Sequence, residues 1–475
     1  MRARGSWFAA VPGIALGVLV GCGGSGGYNA PMPMPMPPPT PMPTVSFSSP
    51  SQATTINFGQ AVKLQWTSTN ATSCSAGTSS NMGGAFTGSQ PTSGSATVAP
   101  TGTGNVTYTL TCMGAGGSGT ATTAAVTVNP SILSMLAPTK IVTIGSTIDP
   151  LEKGGNPYGL VIAPATAGLI TAGDLIVCNF NDGATMTEGQ GTALVGLHPT
   201  AGATPYRIAV SPALQGCNAL AMLPDDSISA AGYSSNKNPL VTAAGAVNTP
   251  FSADTFGHPW GEAYVPAKGS NPAALYVSNV DGTIDRIELN GDAQTAFVQI
   301  ASGFCGGGDP GEIYAPSGLT YDASIDTLYI VDTSSYSVVA FANVSAIGAA
   351  GVVVAGQCST TKPTPKPTFS GPSGSSARVI ANGGGFIAPL SAALLSDGDL
   401  IVGNADVGIT SAQMPNLAFE ISPVLPGGFV GSAVQLDTTG TPGALFGIVA
   451  TTDSQGHQVV YFNDDNANAA MMLTQ

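Results

Sequence analysis

The chain has 475 residues, which is long enough for two or three domains, and only 8% of them are charged. Its 63 glycines and 37 prolines suit a protein built from many short strands and turns. The formal net charge of −14 excludes a nucleic-acid-binding protein, which would carry a basic patch. No Asp or Glu precedes Asp149, so the acidic character belongs to the C-terminal part of the chain alone.

The first 21 residues have the pattern of an export signal. Two arginines precede a short apolar stretch at residues 7–20, which ends just before Cys22. This pattern resembles the lipobox of bacterial lipoproteins, in which the Cys after a small residue becomes lipid-modified and N-terminal. The resemblance implies a signal peptide over residues 1–21 and a lipid on Cys22 that anchors the chain to a membrane. Because Gly23 follows instead of Asp, it also implies a place in the cell envelope at the outer membrane or the cell surface. Ordinary secretion with cleavage nearby is the alternative.

Residues 22–44 are predicted to form a tether. Residues 23–27 are almost all glycine, and the segment that follows alternates methionine with proline. Such a composition favours extended polyproline II and acts as a semi-rigid spacer. The alternative is a Cu(I) site, because thioethers suit that ion. Its ligands would be Met32, Met34, Met36 and Met42.

Residues 45–129 are predicted to form a small all-β module. Apolar and polar residues alternate in short runs separated by turn residues, as in a β-sandwich. Cys74 and Cys112 are the two cysteines here, and in an exported chain an isolated pair predicts a disulfide. The stretches around Trp66 and the two cysteines resemble the Ig-like modules of bacterial surface proteins, which implies that Trp66 is a core residue. The predicted strands are 45–48, 62–67, 96–99, 106–112 and 124–128.

Residues 130–475 carry a two-phrase unit that recurs about every 50 to 70 residues, which is typical of a repeat architecture. The first phrase is Pro-x-Gly or a variant of it, and we predict that it forms a small turn that opens an apolar strand. It begins at Pro157, Pro259, Pro316, Pro389 and Leu445. The second phrase is an apolar run that stops at Asn or Asp. It reads LIVCNFND from Leu175, LYVSNVDG from Leu275, LYIVDTSS from Leu328, LIVGNADV from Leu400 and VVYFNDDN from Val459.

Four strands in each unit make a propeller blade. The stretch from Asn179 to Asn279 spans two units, so we place one degenerate blade between them, with strands at 206–210, 219–222 and 227–231. That makes six blades. The pattern resembles the NHL-type six-bladed β-propeller, which implies binding or scaffolding more often than catalysis. The predicted fold class is therefore all-β, with a small Ig-like β-sandwich followed by a six-bladed β-propeller.

A propeller must also close its ring, which protects the edges of its sheets. Residues 139–144 have the form of an outer strand. We predict that they add to the last blade beside residues 469–473. The ring would then join the two ends of the domain.

The second phrase predicts a candidate site. In an antiparallel blade the second strand ends where the first begins, so the terminal Asn and Asp residues should meet at one mouth of the ring. Carboxylate and amide oxygens are the ligands that Ca²⁺ prefers. The alternative is that each Asn or Asp bonds the backbone of its own hairpin, and that the histidine is structural. The predicted ligand or cation rim consists of Asn179, Asn279, Asp332, Asn404, Asn463, Asp464, Asp465 and His258. The same mouth should also hold Asn156, Asp182, Asp281 and Asp406.

Four more cysteines lie in the repeat region, and four cysteines allow three connectivities. Cys178 and Cys217 fall in neighbouring blades, whereas Cys305 and Cys358 fall in neighbouring segments between blades. We predict those two pairings. A reactive thiol is the alternative, although no basic residue lies close in sequence.

The sequence therefore predicts a monomeric envelope lipoprotein that binds or scaffolds an unknown protein, carbohydrate or small molecule through its propeller, without a definite cofactor. The alternative is a Ca²⁺-dependent hydrolase of the lactonase or gluconolactonase kind that uses the acidic mouth. The two differ in geometry. The enzyme needs at least three Asn, Asp or Glu side chains that converge on one point in the central channel. The binding protein would have these side chains bonded within their hairpins and a channel lined by apolar or small residues.

Overall fold

The computed structural model describes Met32 and residues 34–136, 141–251, 256–356, 358–359, 361–404, 416–425, 427–437 and 444–474. The predicted signal peptide, Cys22 and Asp406 lie outside these residues, as does the start of the predicted closing strand, residues 139–140. Met32 and residues 34–41 are exposed and have no secondary structure. Met42–Gln475 pack as one compact unit. Of the helices in the described residues, none has the length and apolar character needed to cross a membrane.

The β module contains ten strands in three sheets, of order β1-β3-β6, β2-β10-β7 and β5-β4-β8-β9. The strands are β1 (Thr44–Ser49), β2 (Thr54–Asn57), β3 (Val62–Thr69), β4 (Ser73–Thr78), β5 (Gly88–Gln90), β6 (Gly94–Val98), β7 (Gly104–Val106), β8 (Tyr108–Gly114), β9 (Gly117–Thr122) and β10 (Val126–Asn129). Each predicted run contains a strand, although the run at 106–112 divides between β7 and β8. The sequence did not predict β2, β4, β5 and β9, because these strands are rich in Ser, Thr and Gly and lack a clear apolar alternation.

The module has its own aromatic core. Trp66 is 1% exposed and lies edge-on to Phe86, with ring centroids 5.5 Å apart. Its indole N–H donates to the carbonyl oxygen of Pro91 at 2.9 Å, so the buried donor is satisfied. The predicted disulfide between Cys74 and Cys112 is present. It joins directly opposed residues of the neighbouring strands β4 and β8.

A short helix, α1 (Ile132–Met135), connects the module to the propeller. The side chain of Ser131 caps its first turn by accepting from the backbone N–H of Ser134. Ile132 and Leu133 are buried and pack against apolar residues of the last two blades. The connection is therefore part of the propeller core.

Six four-stranded units follow, each ordered from the centre of the ring outwards. Blade 1 consists of β12 (Gly155–Ile162), β13 (Leu175–Asn181), β14 (Ala193–Leu197) and β15 (Tyr206–Val210). Blade 2 consists of β16 (Cys217–Met222), β17 (Ile228–Gly232), β18 (Leu240–Val241) and β19 (Val247–Asn248). Blade 3 consists of β20 (Pro259–Val265), β21 (Ala273–Asn279), β22 (Ile284–Asn290) and β23 (Ala293–Ser302).

Blade 4 consists of β24 (Pro316–Asp322), β25 (Thr327–Asp332), β26 (Ser337–Ala342) and β29 (Ala377–Asn382). Blade 5 consists of β30 (Pro389–Leu394), β31 (Leu400–Asn404), β32 (Leu417–Ile421) and β33 (Phe429–Gln435). Blade 6 consists of β34 (Ala444–Thr452), β35 (Gln458–Asp464), β36 (Ala469–Thr474) and β11 (Ile141–Ser146). Two further strands, β27 (Val352–Ala355) and β28 (Thr368–Ser370), lie in the chain between the third and the last strand of blade 4. They extend the sheet of blade 3 at its outer edge.

The ring closes as predicted. Strand β11, from the start of the domain, pairs antiparallel with β36 from its end, with Ile141 opposite Leu473. The inner strands contact one another in a complete cycle from β12 through β34 and back to β12. The all-β fold and the six blades are thus confirmed in the described residues, with one correction. Tyr206–Val210 is the outer strand of blade 1, whereas blade 2 begins at Cys217.

The first phrase does not form a turn, and that prediction is wrong. The phrase lies inside five of the six inner strands, where the pairing register shifts as in a β-bulge, for example between Pro157 and Leu160 in blade 1. Its glycine is needed for close approach between blades. A Cβ atom on Gly261 would lie 1.9 Å from the carbonyl oxygen of Ser317 in the next blade, and one on Gly447 would lie 2.2 Å from that of Tyr158.

A hydrogen bond or a disulfide joins each pair of neighbouring blades close to the start of the inner strands. Five links are hydrogen bonds from a side chain to a backbone carbonyl at the phrase of the next inner strand. The donors and acceptors are Asn218 to Trp260 (2.6 Å), Ser278 to Ser317 (2.7 Å), Thr333 to Pro389 (2.7 Å), Ser391 to Leu445 (2.8 Å) and Asn463 to Tyr158 (3.0 Å). The sixth interface, between blades 1 and 2, is joined by the disulfide Cys178–Cys217.

Both predicted cysteine pairings in the propeller are confirmed. The second disulfide joins Cys305, which follows β23, to Cys358, which lies between β27 and β28. This disulfide therefore links the segment that contains β27 and β28 to blade 3.

Candidate functional site

The first residues of the inner strands surround one end of the central channel, which we call the narrow mouth. The strand register brings the ends of the second strands to the same place. Asn179 lies opposite Pro157, Asn279 opposite Pro259 and Asn404 opposite Pro389. In the same way Asp332 lies opposite Pro316, and Asp464 opposite Ala444. The predicted rim residues are therefore located at one mouth.

The amide groups of the rim asparagines donate to backbone carbonyls or, at Asn279, to side chains. The amide group of Asn179 donates to the carbonyl oxygen of Gly154 at 2.9 Å, and that of Asn404 donates to Gly385 at 3.2 Å. Asn279 donates to the carboxylate of Asp285 at 2.7 Å. Asn463 bonds across the blade interface, and its side-chain oxygen, like that of Asn179, accepts no hydrogen bond. These side chains thus hold the loops that lead into the inner strands.

The acidic rim residues and the histidine are bonded within their own turns or to a neighbouring loop. Asp332 accepts from the backbone N–H of Ser334 at 3.1 Å and from the Ser335 hydroxyl. Burial raises the pKa of Asp332 to about 6. Asp464 accepts from the backbone N–H of Ala467 at 3.1 Å. The remaining two predicted residues are similar in kind. The backbone carbonyl of Asp465 accepts from Asn468, and His258 contacts the carbonyl of Tyr233 through Nδ1 at 3.0 Å.

The acidic rim residues Asp332 and Asp464 therefore cap their own turns, as the alternative expected. The rim asparagines Asn179, Asn404 and Asn463 instead bond to groups outside their own hairpins. Among the described residues, no group of three acidic or histidine side chains approaches closely enough at this mouth to hold a metal ion. A version of the lactonase site made of acidic and histidine side chains alone is therefore not formed by the described residues at this mouth.

Aromatic side chains fill the narrow mouth instead. Tyr158 stacks on Phe446 with ring centroids 4.1 Å apart, and on Phe180 at 4.4 Å. The edge of Trp260 packs against Tyr158 at 5.9 Å. All four rings are buried, and the cavity behind them measures about 80 Å³. Little space remains here for a ligand.

The opposite end of the channel, which we call the wide mouth, holds a cavity of about 390 Å³. Each of the six inner strands contributes residues to its wall. Most of the side chains in the wall are apolar, with Leu394 and Val449 half-buried among them, but backbone and hydroxyl groups make its polar surface slightly larger than its apolar surface. The polar side chains include Tyr264, Thr320 and Tyr321. A cavity of this size with a few polar groups is typical of a small-molecule or side-chain binding site.

Glu262 is a carboxylate that lines both cavities of the channel. It is 5% exposed and accepts a hydrogen bond from the hydroxyl of Ser229 in the preceding blade at 3.0 Å. The Ser229 hydroxyl in turn accepts from the amide of Asn238. The second carboxylate oxygen of Glu262 has no partner. Burial raises the pKa of Glu262 to about 8, so this group stays protonated at neutral pH.

A third cavity, of about 460 Å³, lies at the surface beside the disulfide Cys305–Cys358. Its wall contains Asp309, Glu312 and the loop of three glycines from Gly306. On one side the ammonium group of Lys362 lies 4.8 Å from the centre of the Tyr314 ring. The cavity is a polar surface cleft of mixed charge.

The closest group of carboxylates in the described residues lies elsewhere, at the contact between the β module and blade 5. Asp397 and Asp399 belong to the turn between β30 and β31, whereas Glu420 lies on β32. One oxygen from each lies within 4.8 Å of the other two. We call these three residues the junction cluster.

The junction cluster is held by segments that are distant in sequence. From the β module, Asn57 donates to Asp397 at 3.0 Å and Gln60 donates to Asp399 at 2.8 Å. From α1, the backbone N–H groups of Ile132 and Leu133 donate to Glu420 at 3.2 and 2.6 Å. The cluster thus connects three parts of the chain.

The carboxylates of the junction cluster also destabilise one another's charge. Burial, together with the charge of Asp397, raises the pKa of Asp399 to about 8. Burial raises the pKa of Glu420 to about 7. In the described residues no Lys, Arg or His forms an ion pair with any of the three. Their charges require a proton or a cation nearby.

Sequence reasoning missed both Glu262 and the junction cluster. A usable signal existed for the two glutamates, because each interrupts an otherwise apolar strand in a weakly charged chain. Asp397 and Asp399 carried no such signal, since their Asp-Gly-Asp sequence is that of an ordinary hairpin turn.

No protein-family model matches the sequence, and no curated protein matches it. Solved structures with a related shape include a gluconolactonase from Xanthomonas campestris, with 12% identity and a TM-score of 0.42 over 69% of this chain and 88% of that chain. A catalytically inactive virginiamycin B lyase from Staphylococcus aureus has 12% identity and a TM-score of 0.39 over 68% and 96%. A Bacteroides thetaiotaomicron protein of unknown function has 10% identity and a TM-score of 0.45 over 90% and 97%. Likenesses of this size assign neither activity nor ligand.

Proposed function

We propose that the chain is an envelope-anchored binding protein whose propeller takes an apolar ligand group at the wide mouth. The wide-mouth cavity carries this proposal. It is large enough for an aromatic or aliphatic group, most of the side chains that line it are apolar, and its backbone and hydroxyl groups can orient a ligand. The ligand is an apolar small molecule or an apolar side chain of a partner protein.

The narrow mouth supports the same proposal because its side chains leave little space for a ligand. Its polar side chains are bonded to backbone groups, and its aromatic rings fill the space between them. Those features serve ring closure. We therefore place ligand binding at the wide end and favour binding over lactone hydrolysis.

We also propose that Cys22 carries a lipid and that residues 22–44 space the β module from an outer membrane or cell surface. The Ig-like character of the β module belongs to this proposal. Its buried Trp66 supports the likeness, although the disulfide Cys74–Cys112 joins neighbouring strands, whereas that of antibody domains joins two sheets. Mass spectrometry of the protein from membranes should show a lipidated N-terminal cysteine, and Cys22→Ala should release the chain from the membrane.

The binding proposal is tested with indole and cyclohexanol as probes in ligand-observed NMR on the purified chain. Val449→Trp places a large ring in the wide mouth, and we expect it to abolish binding of both probes. Val353→Trp is the matched control, since Val353 is 39% exposed on β27. Equal binding by the wild type and Val449→Trp would place the ligand elsewhere. Hydrolysis of gluconolactone that requires Ca²⁺ would favour the enzyme.

A further inference from the structure

We propose that the junction cluster binds one Ca²⁺ ion, and that this ion fastens the β module to blade 5 of the propeller. The ligands are one carboxylate oxygen each from Asp397, Asp399 and Glu420. This site is separate from the wide mouth, and the inference does not depend on the ligand proposed there. It also differs in place from the rim that the sequence predicted.

The spacing of the three carboxylates fits a single Ca²⁺ ion. Ca²⁺–oxygen distances are about 2.4 Å, so two oxygens on opposite sides of one ion are separated by about 4.8 Å. The three candidate oxygens all lie within 4.8 Å of one another. One ion can therefore contact all of them with little movement of the side chains.

An unpartnered oxygen gives independent support. Asp399 is 1% exposed, and its Oδ2 atom accepts no hydrogen bond. A buried carboxylate oxygen without a partner is costly, because it has lost water and gained nothing in return. Asp399 Oδ1, in contrast, accepts from Gln60. A cation bound among the three carboxylates supplies the missing partner of Oδ2.

The backbone of the β module packs closely against this oxygen. Gly59 has a φ of +113°, and a Cβ atom there would lie 2.5 Å from Asp399 Oδ2 and 3.1 Å from a methyl group of Val430. Only glycine adopts this conformation readily, and only glycine allows this close approach. The carbonyl oxygen of Gly59 accepts from Ser422 at 2.7 Å, which fixes the loop against blade 5. The module thus forms one wall of the site.

The chemistry of the ligands selects Ca²⁺ among the common metal ions. All three ligands are hard oxygens, and in the described residues no Cys or His joins the group, which disfavours zinc and copper. Mg²⁺ requires near-ideal octahedral geometry at about 2.1 Å, whereas Ca²⁺ accepts irregular sets of oxygens. Two charges of the ion also offset most of the negative charge of three carboxylates.

A bound ion would add an ionic link between elements that already meet through hydrogen bonds and, at α1, through apolar packing. Asn57 and Gln60 contact the cluster from the module, and α1 contacts it through Glu420. An ion that binds the docked arrangement and not the separated one stabilises docking by mass action. We therefore expect calcium to control how firmly the module holds to the propeller.

The experiment measures calcium binding and thermal unfolding of the full chain after dialysis against a chelator. We expect one Ca²⁺ per chain by titration calorimetry and a higher melting temperature with Ca²⁺ than with chelator. Asp399→Asn should lose both effects. Asp285→Asn is the matched control, because Asp285 is also 1% exposed and accepts from one amide, yet lies in blade 3.

Hydrogen exchange gives a second readout. The backbone amides of Ile132 and Leu133 donate to Glu420, so peptides that contain α1 should exchange faster in chelator than in Ca²⁺. The same difference should vanish in Asp399→Asn. If that variant does not fold, Asp397→Asn replaces it, since Asp397 is only half-buried.

Three results would overturn the proposal. Absence of Ca²⁺ binding by the wild type would mean that protons alone relieve the charge of the cluster. Binding of Ca²⁺ by Asp399→Asn and Asp397→Asn as tightly as by the wild type would place the ion elsewhere. Equal melting temperatures and equal exchange of α1 in Ca²⁺ and in chelator would show that a bound ion does not affect docking.

Discussion

Two polar regions of this molecule contain Asn, Asp and Glu side chains, and they differ in what those side chains contact. At the narrow mouth, Asn179 and Asn404 donate to backbone carbonyls, and Asp332 accepts from the turn that follows it. In the junction cluster, three carboxylates lie together, and Asp399 Oδ2 has no partner. The first region uses its polar groups to build the ring. The second brings three carboxyl groups together without an ion-pair partner among the described residues.

This comparison explains why a repeated motif was a poor guide to a binding site here. The terminal Asn or Asp of the second phrase recurs beside the start of the inner strand, where its bonding partner differs from blade to blade. The junction cluster occurs once and follows no repeat. The experiments below separate the two roles, since a change at the narrow mouth should alter ring stability and leave calcium binding intact.

Gly261→Ala should give the largest loss of stability. The new methyl group would meet the carbonyl oxygen of Ser317 at 1.9 Å, and backbone cannot move aside as a flexible side chain can. We expect the free energy of unfolding to fall by about 3 kcal/mol, as for overpacking in a core. Urea unfolding measures it. Gly348→Ala is the control, because a Cβ there meets nothing within 4 Å. Equal unfolding midpoints for the two variants would contradict the role of the phrase in ring closure.

Asn463→Ala should give a smaller loss, of about 2 kcal/mol, because the buried carbonyls of Tyr158 and Gly159 lose their donor. Its calcium affinity should equal that of the wild type. Asn290→Ala, at an exposed position on β22, should change neither quantity. Weaker calcium binding by Asn463→Ala would assign the ion to the narrow mouth and not to the junction cluster.

Much of the fold was predictable because it depends on local patterns. Alternating apolar runs gave the strands, and the repeat gave the blade number. The closing strand at Ile141–Ser146 was predictable from its likeness to other outer strands. The interpretation of Pro-x-Gly as a turn was wrong, because the glycine serves a contact with another blade. The sequence shows that a residue is small but not what lies beside it.

The candidate site was less predictable for the same reason. The sequence placed the rim residues at one mouth, and the register agrees. Whether they face one another or their own backbone depends on distances of a few ångströms, which local patterns do not contain. The junction cluster requires the module to dock on blade 5, with Gln60 and Asp399 separated by 339 positions in the chain. Contacts of that range leave no periodic signal.

Glu262 offers a third environment, a buried carboxylate without a neighbouring charge group. Burial raises its pKa from the ordinary value of 4.5 to about 8, so the folded chain holds a proton there that the unfolded chain releases above about pH 4.5. The stabilisation that the protonated Glu262 carboxyl gives to the folded chain is therefore fully present below about pH 4.5. It is lost as the pH rises towards 8. We expect Glu262→Gln to remove a slope of about 1.4 kcal/mol per pH unit between those limits.

Urea unfolding of the wild type and Glu262→Gln at several pH values in chelator measures this slope. Chelator keeps calcium from contributing. Asp309→Asn, at an exposed position, should retain the wild-type slope. Parallel curves for the wild type and Glu262→Gln would show that the folded chain does not hold this proton.

Gln60→Ala should have the smallest effect of these changes. It tests the junction cluster, whereas Gly261→Ala and Asn463→Ala test the narrow mouth. The change removes the 2.8 Å hydrogen bond to Asp399 Oδ1 but none of the proposed calcium ligands. We expect the free energy of unfolding to fall by about 1 kcal/mol. We separately expect calcium affinity to weaken about fivefold, because Asp399 is held less firmly in its binding position before the ion binds. Gln90→Ala is the control, since Gln90 bonds only to the exposed carbonyl of Thr87. A variant that loses stability in chelator while its calcium affinity stays unchanged would show that Gln60 supports docking alone, and that the ion is positioned by the three carboxylates without help from the module.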